Sequence, residues 1–126
     1  MPSAAELEEI ESLDSLEPAD IFALIPLYLA DSRQETTIFS PYGQERAGRE
    51  WFESVVKALR GFVCESWRGC EKIESSAFND SKDLAAALFD AMLIAGLNLG
   101  VPVTVISVLL AKLGVRQLCR CGEAGL

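Results

Sequence analysis

Cysteine is the residue type in this chain with the clearest chemical potential. Cys64 and Cys70 are spaced C-x5-C, and Cys119 and Cys121 are spaced C-x-C. Neither spacing is a C-x2-C zinc knuckle. On a continuous helix, six residues turn the chain by about 600°, which puts Cys64 and Cys70 on different faces. The spacing therefore predicts four thiols and no metal site. The more reactive pair would be Cys119-Arg120-Cys121, where neighbouring cations lower a thiol pKa. Asp90 is the other unusual group, a carboxylate among apolar neighbours. It reads first as a hydrogen-bonding or ion-pairing partner of Lys82, Lys112 or Arg116. The second reading is an acid with a raised pKa.

The remaining chemistry is thin. There is no histidine. That removes Ser-His and Cys-His nucleophilic pairs, the commonest general base near neutral pH, and His-ligated metals. Gly96 to Pro102 (GLNLGVP) fits neither glycine-rich phosphate-loop spacing. No catalytic residue, cofactor or metal is expected, and an enzyme is not the expected class.

Charge is placed unevenly over the 126 residues. The net charge is −8, and residues 1–20 hold seven acids and no base. The later two thirds are neutral: six acids face six bases over 45–76, and four face four over 77–126. No cluster of Lys and Arg suits nucleic acid. A basic protein partner fits the acidic arm. Met1-Pro2-Ser3 leads into acids rather than a basic and then apolar leader, so the expected location is cytoplasmic, with reduced cysteines.

These groups need elements to position them. Leu7, Ile10, Leu13 and Leu16 recur three apart between acids, an apolar stripe on an acidic helix. Pro18 suits the first turn of a second, short and nearly all-apolar helix over 20–30, in which Pro26 would introduce a kink. Residues 31–40 read as a loop. From 46 to 73 the apolar residues step by three and four, predicting one long amphipathic helix of about seven turns, with a bend allowed at Gly61 and Gly69. Trp51 and Trp67 read as core anchors. Ser81 can cap a helix over 82–99.

The stretch 91–111 carries no charge and is long enough for one bilayer crossing of about 31 Å. Asn98-Leu99-Gly100-Val101-Pro102 interrupts it with a helix stop and a helix start. Two buried helices joined by a turn are therefore expected, the second over 102–118. Its Lys112, Arg116 and Arg120 lie four apart on one stripe near the C-terminal end.

The expected fold is all-α: a single-domain bundle of four to five helices with a long central amphipathic helix and a C-terminal buried hairpin. Residues 1–17 form an acidic arm, 18–121 the bundle and 122–126 a frayed end. The expected function is that of a protein-interaction module, an adaptor or a regulatory or accessory subunit of a larger effector. Leu7, Glu8, Ile10, Glu11, Leu13 and Asp14 would enter a basic or apolar groove on another protein. An alternative partner for the arm is the chain's own Lys112, Arg116 and Arg120 stripe, which would make it an autoinhibitory cover. A homo-oligomer through Ala91, Ala95 and Gly96 stays open. The competing expectation is a small membrane-anchored or membrane-active protein using 91–111. The closing hydrophobic helix and its KLGVRQLC end resemble small bacterial accessory proteins, including death-fold-like adaptors, over the last third of the chain.

Overall fold

A computed structural model describes residues 3–29, 41–75, 80–97 and 99–121. All regular structure among these residues is helical. Helix α1 spans Ala4–Asp14 and opens with a capping box. The Ser3 hydroxyl accepts from the Glu6 N–H at 3.1 Å, and the Glu6 carboxylate accepts from the Ser3 N–H at 2.8 Å. Such caps contribute about 1 kcal/mol. Ile10 and Leu13 of α1 are buried in the common core. The acidic segment is thus built into the bundle.

Helix α2 spans Pro18–Leu29 and keeps its helical course through Pro26. It lies against α3, Pro41–Arg60. The approach is close: a Cβ on buried Gly48 would overlap the Phe22 carbonyl. Phe22 meets Phe52 edge-on, with ring centroids 5.7 Å apart, and the Arg49 guanidinium lies 4.4 Å from the Phe22 ring centre.

The long helix expected over 46–73 is interrupted. After Arg60 the chain passes through a π-helical segment, Gly61–Ser66, then breaks at Trp67 and Arg68 before α4, Gly69–Ser75. Arg68 takes a left-handed conformation at φ +58°. A Cβ on Gly69 would lie 2.8 Å from the Val63 carbonyl oxygen and 2.9 Å from Val115 Cγ1. The absent side chain lets α4 approach both the π segment and the short C-terminal helix α7, Val115–Cys119. Helix α3 takes α2 as its main neighbour.

Helix α5, Ser81–Ala95, is capped by Asp80, whose carboxylate accepts from the Asp83 N–H at 3.1 Å. Ser81, the expected cap, instead turns its hydroxyl toward α1. Gly96, at φ +73°, ends α5 three or more residues before the predicted stop. Pro102 opens α6, Val103–Leu113. The two pack together, so the uncharged stretch is divided between two helices. No helix among the described residues is long and apolar enough to cross a membrane.

Residues 104–111 of α6 are all buried, and α1, α2, α5 and α7 surround it. A helix enclosed on every side needs no charged face, which explains why Val103 to Ala111 carries no charge. Ser107 satisfies its hydroxyl by donating to the Val103 carbonyl at 2.7 Å. Gly114, at φ +102°, separates α6 from the short α7, Val115–Cys119.

Candidate functional site

Two places gather the chain's charged and sulfur chemistry. The first is the seam between α1 and the α5–α6 pair. Burial of Ile10 and Leu13 fixes α1 by its apolar side. Its last turn is then tied by polar contacts. Lys82 Nζ on α5 lies 3.3 Å from Glu11 Oε2. Lys112 Nζ on α6 donates to the Asp14 backbone carbonyl at 2.7 Å and stands 3.9 Å from its carboxylate. The Ser81 hydroxyl donates to the same carboxylate. The hydrogen bond and charge of Glu11 raise the Lys82 pKa above its ordinary value. Lys82 is solvent-exposed, so the pair orients α1 more than it stabilises it.

This docking divides the six predicted contact residues of α1. Ile10 and Leu13 are interior, and Asp14 is partly buried against Lys112. Leu7 (47% exposed) and Glu8 lie on the outer surface beside Glu9, with Glu11 at its edge. The predicted cationic stripe is also divided. Gly114 breaks the helix between Lys112 and Arg116, so the four-residue spacing no longer keeps one phase. Arg120, at φ +53°, caps the end of α7. Lys112 therefore faces α1, while Arg116 and Arg120 belong to the exposed surface of the C-terminal end.

The second place is that C-terminal end, where the expectation of four thiols fails. Cys64 is bonded to Cys119 and Cys70 to Cys121, with Cα separations of 5.5 and 5.4 Å. The four residues are half-buried. Three local features bring them together. The break at Trp67 and Arg68 separates the frames of Cys64 and Cys70, so the continuous-helix rotation does not apply. Gly69 lets α4 close onto Val63 and Val115. The left-handed turn at Arg120 redirects Cys121 after Cys119. Closing a span of 55 residues contributes about 4 kcal/mol in the chain-entropy view. The two spans overlap, so their contributions do not simply add.

The Cys64–Cys119 bond borders a cleft of about 380 Å³, lined also by Arg60, Glu65, Leu118 and Arg120. Arg60 Nε donates to the Leu118 carbonyl at 3.3 Å, tying α3 to α7. Trp67 packs against the core nearby, with the Lys72 ammonium 5.8 Å from its ring centre. Asp90 is half-buried on α5; of its three expected partners, Lys82 is engaged with Glu11 and Lys112 with Asp14. Among the described residues, no three His, Cys, Asp or Glu side chains are grouped to hold a metal.

Sequence reasoning missed the disulfides. The available signal was an even cysteine number, split between a helix interrupted by glycines and the chain's last turn. No protein-family model, curated protein or solved structure matches this chain.

Proposed function

We propose that this chain is a non-enzymatic protein-interaction module, an adaptor or accessory subunit, whose contact surface is the outer face of α1. The supporting observation is the placement of charge on an anchored helix. Ile10 and Leu13 hold α1 by its inner side, leaving Leu7, Glu8 and Glu9 outward in the most acidic part of the chain. A rigid helix carrying a leucine among carboxylates suits a partner groove with an apolar pocket and a basic rim. Ordering the helix beforehand lowers the entropy cost of binding. Glu11 contributes at the edge of this face, its charge shared with Lys82. Ile10, Leu13, Asp14 and Lys112 serve the seam that holds the helix in place.

Location is part of the proposal. The cytoplasmic expectation rested on the acidic residues that follow Met1-Pro2-Ser3 and implied reduced cysteines; two closed disulfides favour an oxidising setting.

The test is quantitative capture of a stoichiometric partner from native cells by the tagged chain, repeated with Leu7→Ala, Glu8→Lys and Glu9→Lys combined. These positions leave the core intact, so circular dichroism should be unchanged. Capture should fall at least tenfold. Undiminished capture of that partner by the folded triple variant would remove α1 as the contact surface.

A further inference from the structure

We propose that the Cys64–Cys119 disulfide is a thiol-exchange site for small anionic thiols, selected by Arg60 and Arg120. The proposal does not draw on the α1 face. It rests on an asymmetry between the two disulfides. Cys64 and Cys119 line the 380 Å³ cleft, whereas neither Cys70 nor Cys121 does. The cleft is the size of a small-ligand site. Its charged lining consists of two guanidiniums, Arg60 and Arg120, and one carboxylate, Glu65, an excess of one positive charge. Arg60 is held in place by its bond to the Leu118 carbonyl. Arg120 follows Cys119 in the chain and lines the same cleft. Exchange needs access for the attacking thiolate and a stabilised leaving thiolate, and neighbouring cations favour both.

The chemistry is a two-electron exchange. A thiolate attacks one sulfur of the Cys64–Cys119 bond and forms a mixed disulfide. The electron pair of the broken bond leaves on the other cysteine as a thiolate. A second thiolate attacks the external sulfur of the mixed disulfide, releasing a low-mass disulfide and the second cysteine thiolate. Both cysteine thiolates take up the protons given up by the two incoming thiols. Two small thiols are oxidised and one protein disulfide is reduced. Cys70–Cys121 still holds the chain end, while α7 loses its covalent tie to the π segment.

The experiment treats the oxidised full chain with 2-mercaptoethanesulfonate or with cysteamine. Rates are normalised to each thiol's reaction with a neutral low-mass disulfide, and products are trapped by alkylation and mapped by peptide mass spectrometry. The expected result is that Cys64 and Cys119 open before Cys70 and Cys121, with the sulfonate preferred about fivefold, the size of a contact charge effect in water. Arg120→Gln leaves the Arg60–Leu118 contact in place and makes the lining neutral, so it should bring that preference near one; the double variant with Arg60→Gln leaves Glu65 uncompensated and should reverse it. Earlier opening of Cys70–Cys121, equal normalised rates for the two thiols, or an unchanged preference in both variants would overturn the assignment.

Discussion

Gly48 and Gly61 belong to one stretch of helical backbone but have opposite surroundings. A Cβ at Gly48 would overlap the Phe22 carbonyl, a backbone atom that moves only if α2 moves. At Gly61 nothing stands within 4 Å. Gly48→Ala should therefore destabilise the protein by about 2 kcal/mol or more, as α2 and α3 are forced apart. Gly61→Ala should be neutral or stabilising by up to about 1 kcal/mol, because alanine favours helix. Urea unfolding of the two variants measures both, and a larger loss at Gly61 would contradict the α2–α3 packing. Residue identity alone did not separate these glycines. Gly61 was legible as a permitted bend, whereas the role of Gly48 depends on a neighbour 26 positions away in sequence.

Helix α1 has an inner face used by the core and an outer face left to solvent. Ile10→Ala should cost about 3 kcal/mol, since the side chain is almost fully enclosed. Leu7→Ala should stay within about 0.5 kcal/mol. Thermal or urea unfolding measures the difference; equal effects would mean that α1 is not docked by this face. The stripe Leu7, Ile10, Leu13 was legible from spacing, but spacing does not say which members turn inward. Other elements show the same limit. The break in the uncharged stretch was readable from glycine and proline, yet it begins at Gly96 because the left-handed cap forms there. The interruption at 61–68 was concealed because apolar residues continue at helical steps through it, and a π-helical segment shifts phase without altering composition.

At the scale of the molecule, α6 is surrounded by neighbouring helices, α1 closes one seam through Lys82 and Lys112, and two disulfides clamp α7 to the π segment and α4. The helical class followed from periodicity. The clamp did not, because cysteine pairing requires two distant segments to meet at the correct Cβ directions. The clamp underlies both the fold of the C-terminal end and the exchange chemistry assigned to its cleft. Trypsin offers a direct test, since Arg60, Arg68, Lys72, Arg116 and Arg120 place all four cysteines on separate peptides. Digestion of the oxidised protein without reductant, followed by mass spectrometry, should yield peptide 61–68 linked to 117–120 and peptide 69–72 linked to 121–126. Four alkylatable thiols, or linkage of 61–68 to 69–72 with 117–120 joined to 121–126, would contradict the clamped architecture.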